Sequence, residues 1–114
     1  DRSVLLQALL NLVKNSIYAI KDQENPQIRI NFGFRRQVSQ LLISDSGHMP
    51  FKVRKNAFKK NFTTKGSKGT GFGLYMIKNE LEKMNFKIEL EKGEATCFRI
   101  EFPNESIRIK NNLV

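Results

Sequence analysis

Four of the seven glycines lie in one stretch, NFTTKGSKGTGFGLYMIK at residues 61–78. Glycine lets the main chain approach another group closely and adopt positive φ. The segment GTGFGL at 69–74 runs into a predicted helix, and free amides at a helix N-terminus attract anions such as phosphate. We therefore expect a phosphate site here, with Lys65 and Lys68 reaching the anion. The alternative is a solvated glycine loop without a ligand.

Two common phosphate-binding motifs do not fit this stretch. A dinucleotide-binding fingerprint needs a hydrophobic strand directly before its glycines and a different spacing, and NFTTKGSKG is not such a strand. The phosphate loop that ends in GK followed by Ser or Thr does not occur either. The site would therefore belong to another class.

Asn11 and Asn15 lie one helical turn apart on the polar stripe of an otherwise apolar predicted helix, so both amides point to the same side. Asparagine is a poorer helix former than the lysine and glutamate that usually cover such a stripe. An amide oxygen is a suitable ligand for Mg²⁺ and adds no charge, which leaves a triphosphate to neutralise the metal. The alternative is that both amides are solvated or link parts of the core.

The segment LLISDSGHMP is an apolar strand that ends in Asp45, followed by Gly47. A carboxylate at the end of a buried strand costs free energy unless hydrogen-bond donors reach it, and the exocyclic amine of a purine is such a donor. The alternative is a turn aspartate that bonds to its own backbone.

The composition indicates one folded domain that attracts anions. The chain has 114 residues, of which 39% are hydrophobic and 27% charged, and its formal net charge is +9. One cysteine and one histidine allow neither an internal disulfide nor a zinc cluster, and Cys97 in an alternating strand pattern predicts a buried structural thiol. No apolar run approaches the roughly 18 to 20 residues of a membrane span, so we expect a soluble domain, and the single cysteine favours a cytoplasmic location.

Residues 52–68 carry seven lysines or arginines and no aspartate or glutamate. Most of these side chains are expected to be solvated. A nucleic-acid-binding module is a remote alternative, but its stacking platforms would interleave aromatics with the basic residues, and Phe51, Phe58 and Phe62 do so only loosely. We expect no nucleic-acid partner.

The periodicity of the apolar residues predicts an α+β fold. The first 22 residues form a predicted helix whose apolar face has Leu6, Leu9, Leu10, Val13, Ile17 and Ile20 at three- and four-residue steps, and Leu5, Leu12, Ser16 and Ala19 extend this face round much of the circumference. A second helix from Gly73 would present a stripe that ends at Met84. A short helical segment is expected over 51–59. The predicted strands, in two antiparallel hairpins that form a layer against the helices, are 27–35, 39–44, 86–90 and 97–102.

Four stretches occur in a fixed order: LLQALLNLVKNSIYAI, LLISDSGHMP, FKKNFTTKGSKGTGFGLYMIK and EATCFRIEFP. Together they closely resemble the N, G1, F and G2 boxes and the final strand of the ATP-binding catalytic domain of sensor histidine kinases, in the GHKL ATPase superfamily. The FTTK form is most similar to nitrogen-regulator-type kinases. The resemblance covers residues 1–103, which leaves 104–114 as a basic polar tail. It implies a two-layer α/β sandwich (Bergerat fold) with a mixed, mostly antiparallel sheet on about three helices.

The resemblance also implies roles for single residues. Asn15 would coordinate Mg²⁺, and Asn11 would assist at the phosphates, so both count as catalytic. Asp45 would accept a hydrogen bond from the adenine N6 amine, and Gly47 would let the chain pass the base. Thr96 would support Asp45 and the base through water. Further contacts to ATP would come from the lid and the glycine loop: Lys65, Gly69, Thr70, Gly71, Gly73 and Leu74.

Residues 50–68 would form the lid, anchored by Phe58 and Phe62. Asn11 stands where hydrolysing members of the superfamily have a glutamate that activates water. Because an amide is not a general base, the resemblance implies slow hydrolysis and transfer of the γ-phosphoryl group to an imidazole, a step that needs mainly positioning and charge neutralisation.

Two departures from the family pattern bear on function. DSGHMP has one residue between Gly47 and Met49, so the second glycine of the G1 box has no counterpart; a degenerate, regulatory nucleotide-binding module is therefore the alternative. His48 is the one histidine in the sequence, so the phosphoacceptor would lie on a separate dimerisation domain. The implied partners are that domain, which would make the full-length protein a homodimer, and a response regulator.

Overall fold

The computed structural model describes residues 2–59 and 73–103. The predictions for Phe62, Lys65, Lys68, Gly69, Thr70 and Gly71, and for the tail from 104 to 114, lie outside the described residues. Within these ranges the elements are as follows: α1 (Arg2–Ile20), β1 (Ile28–Arg35), β2 (Val38–His48), α2 (Phe51–Asn56), α3 (Gly73–Lys83), β3 (Lys87–Leu90) and β4 (Ala95–Glu101).

The four described strands form one sheet in the order β1-β2-β4-β3. Each pairing between them is antiparallel, so the parallel component expected of a mixed sheet does not occur in these ranges. Helix α1 packs against β2 and α3, and α3 packs against β3. The helices therefore cover one face of the sheet, and the predicted two-layer α+β sandwich is confirmed.

The first hairpin turns at Arg36 and Gln37, which have φ of 52° and 64°. Positive φ at both central residues is the geometry of a two-residue turn that matches the twist of the strands. The turn lies where the sequence predicted it. Strand β2, however, does not end at residue 44: Asp45 still pairs with Ile28 and Thr96, and the strand continues to His48.

The core lies between the helices and the sheet. Leu12, Ile43, Leu81 and Ile100 are at most 1% exposed. The predicted stripe of α3 is confirmed, since Ile77 and Leu81 are buried and Leu74 and Met84 pack against them. The other buried apolar residues of this core are Ala8, Ile77, Phe86, Ile88 and Phe98.

The face predicted for α1 is wrong in part. Of the predicted face, Leu12, Ser16 and Ile20 are buried, whereas Leu6, Leu10 and Ile17 are about half exposed, at 59%, 46% and 52%. Apolar or small residues surround most of this helix, so periodicity alone does not fix its rotation. Contact with both β2 and α3 decides it.

The segment Ser3–Ile20 of α1 is also long and apolar enough, by length and composition alone, to cross a membrane. The expectation that no run reaches this length was therefore wrong. The helix has a physical reason to be apolar within the sandwich, because Leu12 and Ile20 contribute to its buried interior.

Strand β1 carries three large side chains that the helices leave uncovered. Ile30, Phe32 and Phe34 are 57%, 56% and 66% exposed, although Ile30 is the register partner of the core residue Ile43. They point to the helix side of the sheet. They are exposed because β1 is an edge strand and α1 lies over β2.

Candidate functional site

Asp45 and Thr96 lie opposite each other on β2 and β4. Each is 5% exposed. Side chains alternate along a strand, and Ile43 and Phe98, two residues away on each strand, belong to the core. The carboxylate and the hydroxyl therefore both lie on the helix side, at one end of the sheet.

Gly47 contacts the carboxylate through its backbone. Its N–H donates to Oδ1 of Asp45 at 2.7 Å. A Cβ atom at this position would lie 2.8 Å from that oxygen and 3.3 Å from Cγ2 of Ile20. Both distances are shorter than an ordinary contact, so a side chain at residue 47 would require the Asp45 carboxylate to shift and Ile20 to move by a few tenths of an ångström.

Ser46 fixes the same segment from the other side. Its hydroxyl donates to Oε1 of Gln23 at 2.6 Å and accepts from the N–H of Gln27 at 3.0 Å. Its backbone N–H donates to the carbonyl of Gln27 at 3.0 Å. The linker between α1 and β1 therefore holds the chain at Ser46, directly after Asp45.

The C-terminal turns of α1 lie beside this end of β2, as the short distance between Ile20 and position 47 shows. Asn15 is half-buried and has a polar or ring contact of its own. Ser16 is 2% exposed, and its hydroxyl has no hydrogen-bond partner among the described residues. Ser16 lies on the buried side of α1, one residue from Asn15 along the helix, so its side chain points in a different direction.

Asn11 is half-buried and lines an open groove of about 430 Å³ between α1 and α3, with Ala8, Ile77 and Glu80. Asp45, Gly47 and Thr96 do not line this groove. The described residues therefore place the two predicted halves of the site at different parts of α1: Asn11 at the groove with α3, and Asn15 nearer the end of β2.

Two further predicted residues lie where the glycine stretch meets the helix. Gly73 is the first residue of α3, and Leu74 is half-buried against the core. Phe58, predicted as a lid anchor, contacts Phe98 edge to face at 6.1 Å between ring centroids. Nζ of Lys78 lies 5.2 Å from the centroid of Phe58.

Comparison with known proteins gives the family. Residues 1–106 match the family model described as histidine kinase-, DNA gyrase B-, and HSP90-like ATPase. The chain belongs to this ATPase family. A nucleotide-free form of the catalytic domain of the histidine kinase ThkA superposes with a TM-score of 0.76 and 33% identity, covering 91% of this chain and 68% of that one.

Two curated relatives of this ATPase domain are sensor kinases. A probable C4-dicarboxylate sensor kinase of Bacillus subtilis (strain 168) is 29% identical over 113 residues, which cover 90% of this chain and 20% of the relative. The sensor protein kinase PilS of Pseudomonas aeruginosa is 34% identical over 109 residues, with the same two coverages. The chain thus spans about a fifth of the length of these relatives.

The ATPase domain has one residue whose role the sequence did not reveal. Arg54 stands in the basic run that was expected to be mostly solvated, but it is half-buried. Its guanidinium donates to the backbone carbonyls of Glu91 and Gly93. No sequence signal distinguishes it from its basic neighbours, because its acceptors are carbonyls about 40 residues further along the chain.

A second polar cluster lies on the opposite face of the sheet. Arg99 of β4 forms ion pairs with Glu89, Glu91 and Glu101 at 2.6, 2.5 and 3.1 Å. The hydrogen bond to Glu91 and the three negative charges raise the pKa of the guanidinium above its ordinary value, against the opposing effect of burial. Arg99 thus stays charged and joins β3, β4 and the first residue after β3 through Glu89, Glu101 and Glu91.

Cys97 was expected to be buried, but it is only half-buried and accepts a hydrogen bond from the hydroxyl of Ser44 at 3.3 Å. Within the described ranges no three His, Cys, Asp or Glu side chains are close enough to hold a metal ion. A metal in this ATPase domain would therefore need amide oxygens, such as that of Asn15, together with oxygens of the nucleotide.

Proposed function

We propose that this chain is the catalytic domain of a sensor histidine kinase, which binds Mg²⁺ and ATP and donates the γ-phosphoryl group to a histidine on a separate domain. Membership of the ATPase family and the likeness to the ThkA catalytic domain support this proposal. The observation that carries it is the Asp45 carboxylate, which is buried beside Thr96 and held by one backbone donor.

A buried carboxylate with a single donor is incomplete. Burying a charge costs several kcal/mol unless hydrogen bonds compensate for the lost water. In the described part of the chain Asp45 accepts from Gly47 alone. The exocyclic amine of adenine supplies a second donor, and guanine, which presents a carbonyl at that position, does not. Asp45 therefore selects adenine.

The α1 amides serve the phosphate end of the nucleotide. Asn15 follows Asn11 by one turn and is the nearer of the two to the end of β2. We assign Asn15 to Mg²⁺, whose remaining ligands are phosphate oxygens and water, and Asn11 to the phosphates. Magnesium supplies charge neutralisation at the β- and γ-phosphates when it is bound.

The rest of the phosphate site is assigned to the residues that lead into α3. The contacts come from Lys65, Gly69, Thr70, Gly71, Gly73 and Leu74. Of these, Gly73 and Leu74 lie at the start of a described helix. Backbone amides and a lysine there neutralise the triphosphate.

Asn11 also determines what the domain does with ATP. An amide cannot take a proton from water at neutral pH, so the bound nucleotide is hydrolysed slowly. The γ-phosphoryl group then remains available to an acceptor imidazole on the dimerisation domain of the same kinase, and afterwards to a response regulator. We assign the domain to the cytoplasmic part of a homodimeric sensor.

Calorimetric titration with a non-hydrolysable ATP analogue, with and without Mg²⁺, tests the proposal. We expect one saturable site, tighter with Mg²⁺, and much weaker binding of the GTP analogue. Asp45→Ala is the diagnostic variant, and Asp22→Ala, at an exposed aspartate beyond α1, is the matched control.

Two outcomes would count against the proposal. If Asp45→Ala binds as tightly as the control, Asp45 is not the adenine acceptor. If the folded wild-type chain gives no heat with ATP, the domain is a regulatory module whose shortened DSGHMP segment has lost the nucleotide.

A further inference from the structure

Strand β2 and strand β4 lose their regular pairing at the site. The register passes from the pair Asp45 and Thr96 directly to the pair His48 and Ala95. Ser46 and Gly47 are therefore an irregularity in the ladder, at the point where the Gly47 N–H bonds to the Asp45 carboxylate. A bulge of this kind bends a strand and redirects a side chain, and it needs support on both sides.

The support on the N-terminal side comes from the linker after α1. Gln23 and Gln27 bond to the side chain and backbone of Ser46. On the C-terminal side the support comes from the turn between β3 and β4, residues 91–94. Nδ1 of His48 lies 3.0 Å from the carbonyl oxygen of Glu94.

Arg54 joins that turn to the chain that leaves the bulge. Its Nη1 donates to the carbonyl of Glu91, and its Nη2 lies 2.9 Å from the carbonyl of Gly93 and 3.5 Å from that of Met49. The backbone N–H of Arg54 donates to the carbonyl oxygen of Pro50 at 2.8 Å. One guanidinium therefore reaches across from α2 to the turn and to the end of the G1 segment.

An arginine is suited to this place. Turn carbonyls have no strand partner, and a planar guanidinium presents five donors in a fixed fork that can satisfy several of them together. Lysine has a compact ammonium group and cannot span the same acceptors. Gly93 has φ of +140°, a conformation that only glycine adopts easily, so the turn has a defined shape.

We propose that Arg54 is a positioning residue for the nucleotide site. By fixing Met49 and His48 against the β3–β4 turn, it holds the bulge in the conformation in which Gly47 bonds to Asp45 and the carboxylate faces the helix side. This bracing also explains how a G1 segment with one residue fewer than the family pattern keeps its geometry. The expected effect on nucleotide binding rests on the proposed function, whereas the role of Arg54 in fixing the bulge does not.

The experiment compares three variants of the full chain. Arg54→Met keeps the length of the side chain but removes all donors. Arg54→Lys keeps the charge and one group of donors. Arg35→Met is the control, because Arg35 is an exposed arginine at the hairpin end of β1, paired with Val38, whereas Arg99 would not serve, since it forms an ion pair with Glu91 of the β3–β4 turn.

Two readouts separate bracing from binding. Amide hydrogen exchange of Gly47, followed by NMR without nucleotide, reports the hydrogen bond to Asp45. Calorimetry with the Mg²⁺-ATP analogue reports the site. For Arg54→Met we expect amide exchange at Gly47 to be at least about tenfold faster. We expect nucleotide affinity to be about five- to twentyfold weaker, which corresponds to the loss of roughly one charge-assisted hydrogen bond. Arg54→Lys should recover part of both, and Arg35→Met should leave both within about twofold.

The outcomes are distinct. Unchanged exchange at Gly47 in Arg54→Met overturns the bracing. Faster exchange with unchanged affinity overturns the positioning role, as does an equal loss of affinity in Arg35→Met. If the wild type binds no nucleotide, the proposed function fails, and the exchange readout still tests the bracing. If Arg54→Met does not fold, the same two comparisons are made with Arg54→Lys, for which a wild-type result in both readouts overturns the proposal.

Discussion

Strand β4 carries two polar clusters that differ in how completely they are satisfied. Arg99 has three carboxylate partners on the solvent side of the sheet. Asp45, opposite Thr96 on the helix side, is buried and has one donor among the described residues. The comparison teaches that charge alone does not mark a functional site. A fully paired cluster stabilises the sheet, whereas a buried, half-paired carboxylate is a place for a ligand.

The largest effect is expected from Gly47→Ala. The added Cβ would meet the Asp45 carboxylate at 2.8 Å and Ile20 at 3.3 Å, so both the hydrogen bond and the local packing are disturbed. We expect the free energy of unfolding to fall by about 1–3 kcal/mol and nucleotide affinity to fall by about two orders of magnitude. Calorimetry and urea unfolding measure the two quantities.

Gly33→Ala is the matched control for that variant. A Cβ at Gly33 meets no described atom within 4 Å, and the strand position favours a side chain. Its stability and affinity should stay at or slightly above those of the wild type. An equal loss in both glycine variants would show that the Asp45 contact is not the cause.

Asp45→Ala should separate binding from stability. Removal of the adenine acceptor is expected to weaken ATP binding by about 1–3 kcal/mol. The free energy of unfolding should change little or rise, because a costly buried charge is removed. Parallel calorimetry and thermal unfolding check this pair of results, and a large loss of stability would mean that the carboxylate is structural.

Arg99→Met should give the opposite pattern. The loss of three ion pairs, and the repulsion among the carboxylates that remain, should lower the free energy of unfolding by about 1–2 kcal/mol. Nucleotide affinity should remain within about twofold. The stability difference should shrink in high salt, since the glutamates are partly exposed and their charges are screened. A salt-independent difference would point to packing instead.

The smallest effect is expected from a change at Ser44. Ser44→Ala removes only the hydrogen bond to Cys97, and sulfur is a weak acceptor. Stability should change by no more than about 0.5 kcal/mol, with affinity unchanged. Thermal unfolding of the variant would show whether this contact has more weight than its geometry indicates.

Much of the fold followed from local patterns in the sequence. The helix from Gly73, the first hairpin turn and the two antiparallel hairpins were predicted correctly, because each depends on residues close in sequence. The buried side of α1 was predicted only in part, because apolar residues occupy most of its circumference. The roles of Asn11, Asn15, Asp45, Gly47 and Thr96 remain predictions.

The sequence by itself determined the elements, their order and the residue types at the site, since helix and strand periodicity and turn preference act over a few residues. Only the tertiary structure decided that Asp45 faces Thr96, that a side chain at residue 47 would meet that carboxylate, and that Arg54 reaches the β3–β4 turn. These contacts join residues far apart in the chain. Their partners are set by strand register and helix packing, which no local pattern encodes.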